Sequence, residues 1–431
     1  MSSARRTFLF TTFDGGGNVA PVMSAVAALV ERGHDVRVMS DETSRQEAEL
    51  TRARFVPWRR APNKTVRSRD TDPPDWSVSP KEGLRMMAEH FMGGCALAYA
   101  QDAAAALDCE PVDLVVNFDM LLGVMVACEA RHQQFALLST CISMFPLPGV
   151  PPFGFALPPP GSEDESVRQR QVAAELQGIF DTGLPALNVA RAELGLPPLN
   201  HFVDQANAAA LRLLGTARAF DFAPRELPAD VRYVGPMVRD PVWARSWVSP
   251  WSADDSRPLI VVAFSTSFQN HIDCLQRVID AAAHLPVRVL VTLGGPILRS
   301  EIRAAENTFV VDSAPHERVM RDAAIVVTHG GHGTVMAALM HGVPMLVIPH
   351  GRDQGDNAVR ITERGAGLCL ANTASVGQMR SALQSLWERA TFRLRARALG
   401  DAIHAEVRNS SLIADLEALA HSSAGRAHGS S

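Results

Sequence analysis

Cysteine is scarce and scattered in this sequence of 431 residues. The six cysteines lie at positions 95, 109, 128, 141, 274 and 369, with no CxxC pair and no His/Cys cluster at the spacing of a metal site. This pattern excludes a disulfide-rich secreted scaffold, and we expect a reduced, cytoplasmic protein. Twin arginines precede the first apolar run, but that run stops at Asp14 and is too short for a signal core.

Long apolar runs and concentrated basic surfaces are also missing. No stretch of about 18 apolar residues occurs, so we expect no membrane span. The net charge is −5, and aspartates at 70, 72 and 75 dilute the basic residues between 59 and 69. Phosphate backbones need a concentrated basic face, so we expect no nucleic-acid partner. With 47% hydrophobic and 20% charged residues, the composition is typical of a globular protein.

Short apolar runs alternate with helix-length segments along the chain, whose length favours two domains. We predict strands at 7–12, 35–40, 113–116, 135–140, 259–266, 287–294, 308–313, 324–331, 344–349 and 367–370. Continuous apolar runs are typical of parallel strands buried on both faces, so each half is expected to be a doubly wound, Rossmann-like α/β domain.

The domain boundary is predicted after residue 236, where the chain becomes irregular. We predict a first domain at 1–236, a linker at 237–257, a second domain at 258–395, and a helix at 396–420 that returns to the first domain. Two irregular stretches, 61–80 and 145–166, are long for connections and favour lids or binding loops. The second is rich in proline and carries Phe145, Phe153 and Phe155, which fits either an aromatic wall or a polyproline-like surface linker.

The segment THGGHGTVMAAL, which begins at Thr328, carries the strongest functional signal. A strand ends at Thr328, a glycine-rich turn follows, and a helix is expected to begin near Gly333 and Thr334. Backbone N–H groups at such a helix start, together with the helix dipole, form an anion site that suits a phosphate. His329 and the Thr334 hydroxyl are in position to donate to phosphate oxygens.

With this motif the sequence resembles the inverting, nucleotide-sugar-dependent glycosyltransferases of the GT-B fold that act on small molecules, including antibiotic and macrolide glycosyltransferases. The similarity extends through GVP at 342–344, Pro349, and the cluster of Asp353, Gln354 and Asn357. DGGGNVAP, ERGHDV, VRYVGP and VAFSTS also stand where that family has recurring segments. The resemblance implies two Rossmann-like domains facing a cleft.

The resemblance also implies a donor site for a UDP- or TDP-sugar as co-substrate. It assigns the diphosphate to His329, Gly331, Gly333 and Thr334, with Ser265 and Thr266 beside it, the sugar to Asp353 and Gln354, and the nucleobase to Val311, Ser313 and His316. Asp353 and Gln354 also fit a simple helix cap. His332, His341 and His350 have no match and are expected at the surface or in packing. No acidic DxD motif appears, so neither a metal nor another cofactor is expected.

The usual catalytic base is missing from the first glycine loop. The family uses a histidine in a G-H-V-x-P-like segment, and alignment by Gly17, Val19 and Pro21 places Asn18 there. A neutral amide cannot accept the proton of the acceptor. Three residues are candidates for a displaced base: Asp14 first, then Asp119, then His90. An acidic acceptor such as an activated phenol, or attack by an aromatic carbon, would need little help.

The acceptor is expected to be a hydrophobic small molecule, because methionines and aromatic residues are frequent in the first half. The expected acceptor contacts are Trp58, Met86, His90, Phe91, Met120 and Phe145, although their spacing also fits a core. We expect a monomer or a homodimer.

Three alternatives stay open at this point. Gly15, Gly17 and Ala20 formally match G-x-G-x-x-A, and Asp41 follows the next strand, which fits an NAD-dependent oxidoreductase. A nucleotide-sugar epimerase of the same architecture would share the donor site. With Asn18 in place of the base, the protein also fits a non-catalytic binder of sugar nucleotide and natural product.

Overall fold

Two parallel β-sheets form the frame of the molecule. The computed structural model describes residues 5–71, 77–238, 247–295 and 297–427, the last five by backbone alone. The first sheet contains β1 (Thr7–Thr11), β2 (Asp35–Ser40), β3 (Arg54–Pro57), β4 (Leu114–Phe118), β5 (Phe135–Ser139), β6 (Leu211–Leu214) and β7 (Val231–Tyr233). The second contains β8 (Leu259–Ala263), β9 (Arg288–Thr292), β10 (Thr308–Val311), β11 (Ala323–Thr328), β12 (Met345–Val347) and β13 (Gly367–Cys369).

Helices connect the strands. In the first half they are α1 (Val19–Glu31), α2 (Arg45–Leu50), α3 (Pro80–Met86), a π-helix (Met87–Gly93), α4 (Ala96–Cys109), α5 (Leu122–Ala130), α6 (Glu163–Asp181) and α7 (Leu184–Glu193). In the second half they are α8 (Ile272–Ala282), α9 (His316–Asp322), α10 (His332–Met340), α11 (Gln354–Glu363), α12 (Val376–Glu388), α13 (Ala390–Arg408) and α14 (Leu412–Ala427).

All ten predicted strands are confirmed, each within a few residues. Every residue of β4, β5 and β8 is buried, which is why these central strands read as continuous apolar runs. The predictions missed β3, β6 and β7. These strands have three or four residues, each includes an arginine, and they form one edge and the far end of the first sheet, so their apolar signal is weak.

The strand order explains where functional groups gather. The orders are β3-β2-β1-β4-β5-β6-β7 and β10-β9-β8-β11-β12-β13, so the direction of winding reverses between β1 and β4 and again between β8 and β11. The carboxyl ends of strands at such a reversal open a crevice in which ligands bind. Asp14 and Asp119 follow β1 and β4, while Ser265 and His329 follow β8 and β11.

The end of the chain divides between the two halves. The predicted single helix at 396–420 includes part of α13, a break at 409–411, and part of α14. Helix α13 packs on α10, whereas α14 packs on α1 and β4 of the first sheet. Glu417 of α14 accepts from Arg32 at 2.7 Å and lies 2.9 Å from the His34 ring. The domain bounds stay a prediction, and part of the predicted linker at 237–257 lies outside the described residues.

Candidate active site

A cleft of about 1020 Å³ lies between the carboxyl ends of the two sheets. Residues from both halves line it, and they include most of the predicted site: Asp14, Asn18, Met86, His90, Phe91, Asp119, Met120, Ser265, Thr266, Ser313, His316, His329, Gly331, Gly333, Thr334, Asp353 and Gln354. The structure therefore brings the predicted donor and acceptor residues to one place.

Three predicted residues do not line the cleft. Trp58 is 2% exposed, and its indole N–H donates to the Thr12 carbonyl at 3.0 Å, so it supports the β1 loop from behind. Phe145 belongs to the core of the first domain. Val311 is the last residue of β10 and packs against the core of the second domain. The acceptor role of Trp58 and Phe145 is corrected accordingly, whereas the nucleobase role of half-buried Val311 stays a prediction.

Asn18 is engaged by its own loop. Its amide nitrogen donates to the Phe13 carbonyl at 2.8 Å and to the Thr12 hydroxyl at 3.2 Å. Its amide oxygen accepts from the Gly15 backbone N–H at 3.1 Å. The side chain thus closes the glycine loop on itself, which gives Asn18 a structural function where the family has its base.

Asp14 already has a cationic partner. Arg67 of the 61–80 segment donates to the Asp14 carboxylate at 2.6 Å and to Glu47 at 3.0 Å. The second carboxylate oxygen of Asp14 accepts from the Gly16 backbone N–H at 3.2 Å. Because both carboxylate oxygens of Asp14 already accept hydrogen bonds within the protein, neither is free to receive the proton of an acceptor.

Asp119 has the environment of a base. It is 4% exposed, lines the cleft, and accepts a hydrogen bond from the Ser139 hydroxyl. Burial raises the pKa of Asp119 to about 6, because the charged form loses hydration. A carboxylate with a pKa near neutrality is suited to accept a proton.

The first-domain side of the cleft, where the acceptor is predicted to bind, has an aromatic wall. Phe13 and Phe91 pack with ring centroids 4.4 Å apart, and Phe118 meets Phe13 edge to face at 5.5 Å. His90 is exposed and lies with Phe91 on the π-helix, a local distortion that is frequent at functional sites. Sequence reasoning missed Phe13 and Phe118, which follow or end central strands and look like core residues.

The long irregular segments also contribute to the cleft. Residues 62–65, 71, 78 and 80 line it from the first segment, and Phe153 and Gly154 line it from the second. The predicted aromatic wall is thus represented by Phe153, since Phe145 is core and Phe155 packs under Lys81. The Asp356 carboxylate of α11 accepts from the Gly154 N–H at 2.6 Å and the Ala156 N–H at 2.8 Å.

The second-domain side of the cleft, where the donor is predicted to bind, is built around the amino-terminus of α10, for which Gly331 is the N-cap. A Cβ atom on Gly331 would lie 2.6 Å from the His329 ring, so only glycine leaves that imidazole in place. Gly16 has φ +94°, and a Cβ there would lie 2.8 Å from the Thr266 hydroxyl of the other half. Close approach of the two loops therefore requires glycine.

His329 is uncharged at neutral pH. It is 8% exposed, and burial holds its pKa well below the usual range, with further lowering by His271, His350 and Arg352. His332 and His350 also line the cleft, which corrects the expectation that they lie at the surface or in packing alone. Burial lowers the pKa of His332 to about 4.

The predicted sugar-binding pair differs in availability. Asp353 is half-buried and accepts from the Asn357 amide at 2.8 Å. The Gln354 side-chain oxygen accepts from the backbone N–H of His350 at 2.7 Å, and its amide nitrogen donates to the Gln269 side-chain oxygen at 2.8 Å. Arg352, which sequence reasoning missed, donates to the Ser267 hydroxyl at 3.0 Å and lines the cleft. Its φ of +54° is rare for a residue with a side chain.

The described residues contain no group of three or more His, Cys, Asp or Glu side chains arranged to hold a metal ion, and metal independence stays a prediction. In the same part of the chain, no helix has both the length and the apolar character to cross a membrane.

Residues 276–419 match the family described as "Erythromycin biosynthesis protein CIII-like, C-terminal domain". A 4'-demethylrebeccamycin synthase from Lentzea aerocolonigenes is 28% identical over 418 residues, which is 91% of this chain and 94% of the relative.

Solved structures share the fold. The glycosyltransferase of kitacinnamycin superposes with a TM-score of 0.74 at 18% identity, over 95% of this chain and 98% of that one. The glycosyltransferase VinC, solved in complex with dTDP, gives a TM-score of 0.66 at 20% identity, over 96% and 99%. These likenesses show the fold of the two-domain frame that holds the cleft.

Proposed function

We propose that this chain, which resembles the antibiotic and macrolide glycosyltransferases of the GT-B fold, moves a sugar from a UDP- or TDP-sugar to a hydrophobic, aromatic natural product with inversion at the anomeric carbon. One observation carries this proposal. The amino-terminus of α10 and His329 open into a cleft whose opposite wall is made of aromatic and methionine side chains. An anion site thus faces an apolar site across the space where transfer would occur.

The donor would bind through its diphosphate. Residues 331–334 at the start of α10 line the cleft, and a helix amino-terminus offers backbone N–H groups and a dipole that favours negative charge. His329 and Thr334 supply side-chain donors, and Arg352 supplies a permanent positive charge nearby. As the bond from the anomeric carbon to the diphosphate oxygen breaks, these groups stabilise the growing charge on the leaving group.

Asp119 would serve as the base. Asn18 is hydrogen-bonded within its own loop, and Asp14 is paired with Arg67. Asp119 instead accepts a hydrogen bond from the Ser139 hydroxyl, its one side-chain partner among the described residues. The acceptor O–H or N–H would pass its proton to Asp119 as the nucleophile attacks the anomeric carbon from the face opposite the diphosphate. The Ser139 hydroxyl would hold the carboxylate in position.

Calorimetric titration with UDP and TDP tests the donor site. We expect one of the two to bind, and His329→Ala to weaken that binding about tenfold, the loss of one charge-assisted hydrogen bond. His341→Ala, at the other end of α10, is the matched control and should bind as the wild type does. If neither nucleotide binds the wild-type protein, the proposal is wrong.

Product analysis separates the remaining alternatives. Transfer of sugar to phenolic or N–H aromatic acceptors supports the proposal, and the anomeric configuration of the product reports inversion. Conversion of the nucleotide sugar without an acceptor would indicate an epimerase, and donor binding without any turnover would indicate a binder. The oxidoreductase alternative is disfavoured, because Asp41 already accepts from the backbone N–H groups of Asp14 and Lys64, at 2.5 and 2.7 Å.

A further inference from the structure

His271 is a buried histidine that the recognised sequence motifs do not include. It lies at the N-cap of α8, is 1% exposed, and does not line the cleft. Neither of its ring nitrogens has a hydrogen-bond partner in the described structure. A neutral imidazole has one N–H and one lone pair, and leaving both unsatisfied in the interior is unfavourable. A histidine at this position therefore calls for an explanation.

The His271 ring is part of a group of aromatic rings behind the donor site. It stacks on Phe264 with centroids 5.6 Å apart and planes 7° from parallel. His329 stacks on the same phenyl ring at 6.3 Å and 25°, and His350 meets it edge to face at 5.7 Å. His271 and His350 are themselves 6.0 Å apart. We call His271, His329 and His350 the histidine cluster.

Arginine side chains near the histidine cluster disfavour its protonation. The positive charge of Arg352 lowers the pKa of His329, that of Arg69 lowers the pKa of His271, and that of Arg277 lowers the pKa of His350. Neighbouring imidazoles lower the pKa of His329 and His271 further. Burial and these neighbours lower the pKa of all three rings, that of His271 to about 3. The cluster is therefore neutral without a ligand, although two of its members line the cleft where a diphosphate would bring negative charge.

We propose that His271 is a positioning residue of the donor site, and that the histidine cluster takes up one proton when the diphosphate of a nucleotide sugar binds. This inference rests on the proposed function. A diphosphate beside His329 and His350 favours the protonated form of the cluster by direct attraction. Rings about 6 Å apart repel each other when both are charged, so the cluster holds one proton and titrates as a unit.

His271 contributes in two ways. Its ring sets the plane of Phe264 and thereby supports His329, whose contact with the donor depends on orientation. Its two nitrogens, which have no other partner in the described structure, add a third proton-accepting position to the cluster, away from the diphosphate. In the transfer step the proton stays on the cluster and offsets the charge that develops on the departing diphosphate. The cluster therefore does not have to donate its proton to the leaving diphosphate.

Calorimetry with UDP-glucose and TDP-glucose measures the proton directly. A nucleotide sugar has no group on its diphosphate that titrates near neutral pH, so any proton exchanged belongs to the protein. Titrations in two buffers of different ionisation enthalpy, neither of them phosphate, should give a net proton uptake on donor binding that grows as the pH falls below neutrality, toward the lowered pKa values of the free cluster. The dissociation constant should then fall as pH falls, by up to about tenfold per pH unit.

Substitutions test whether His271 is needed for the proton uptake that accompanies donor binding. His271→Phe keeps a stacked ring and removes both nitrogens, and we expect proton uptake well below that of the wild type and a flatter pH dependence of donor affinity. His271→Asn serves as a second variant if the first does not fold. His34→Phe, which replaces a buried histidine that pairs with Glu417 in the other half, is the control and should leave the uptake unchanged.

The outcomes distinguish this inference from the proposed function. If neither nucleotide nor nucleotide sugar binds, the proposed function fails. If the wild type binds the donor without exchanging a proton, the proposed function stands and the cluster does not act as inferred. If uptake is present but equal in His271→Phe and the wild type, the role of His271 is refuted.

Discussion

At the scale of single residues, the chemistry of the first glycine loop depends on which polar groups already have partners. Asn18 uses both sides of its amide within the loop, and Asp14 is held by Arg67. Asp41 is held by two backbone N–H groups. Asp119, with its pKa raised to about 6, is the carboxylate at the cleft best suited to exchange a proton.

Replacing Asp119 tests this assignment. Asp119→Asn should lower kcat by about 10²–10⁴, the usual contribution of a general base, while donor binding is retained. In the wild type, kcat/KM should fall as pH drops below about 6, because the protonated carboxyl cannot act as a base. The variant should lose this limb of the pH profile.

Asp14→Asn is the matched control, since it makes the same change at the neighbouring strand end. Its effect on kcat should be much smaller than that of Asp119→Asn. The assignment is wrong if Asp119→Asn retains full activity, and Asp14 becomes the base if the two variants behave in the opposite order.

At the scale of elements, the proline-rich loop of the first domain is bound to α11 of the second domain, the helix that begins at the predicted sugar-binding residues. Asp356 lies in the first turn of α11, three residues after Asp353, and holds the backbone at Gly154 and Ala156. Ala156 has φ +52°, an unfavourable conformation for a residue with a Cβ, and the two hydrogen bonds stabilise it. Phe153 in this loop packs against the cores of both halves.

Loss of the contact between Asp356 and the loop should weaken acceptor binding more than nucleotide binding. In Asp356→Asn, an amide N–H group faces one of the two backbone donors, so the loop is released. We expect the KM for the acceptor to rise about tenfold, equivalent to one charge-assisted hydrogen bond, with little change in nucleotide affinity. Burial raises the pKa of Asp356 to about 6, so the wild type should show the same rise in acceptor KM below that pH.

Steady-state kinetics with varied acceptor, alongside calorimetry with UDP or TDP, checks this prediction. Glu163, an exposed acid at the start of α6, directly after this loop, gives a control substitution to Gln that should change neither constant. Equal weakening of acceptor and nucleotide by Asp356→Asn would mean that α11 itself is disturbed and would contradict a role confined to the loop.

At the scale of the whole molecule, a buried ion pair joins the two halves. Arg360 of α11 donates to the Asp221 carboxylate at 2.7 Å, with both side chains 3% exposed or less. The Tyr233 hydroxyl also donates to Asp221, at 2.7 Å. Asp221 follows the first sheet's β6 in the chain, so this network fixes α11 relative to the first domain.

Removing one partner should destabilise the protein strongly. Arg360→Met leaves the Asp221 charge buried without its cation, and we expect the free energy of unfolding to fall by about 3–5 kcal/mol in urea titrations. Arg131→Met removes an exposed pair with Asp108 and should change it by less than about 1 kcal/mol. Similar small effects of both substitutions would contradict the buried pair as an interdomain support.

The sequence by itself determined the two sheets and the position of the donor motif. Continuous apolar runs report strands buried on both faces, and the GGHGT turn brings its strand end, helix start and His329 together within six residues. Such features depend on neighbours in the chain, so a pattern of residue types is enough to predict them. The missing histidine at position 18 also predicts that a base lies elsewhere or that none is needed.

Only the tertiary structure decided which candidates are available. Asp14 meets Arg67 across 53 positions, Arg360 meets Asp221 across 139, and the histidine cluster draws its members from three separate loops. Trp58 and Phe145 share their residue types with pocket-lining side chains but face the core. These outcomes depend on long-range contacts and on burial, which shift proton affinities and occupy polar groups, and no local pattern in the sequence carries that information.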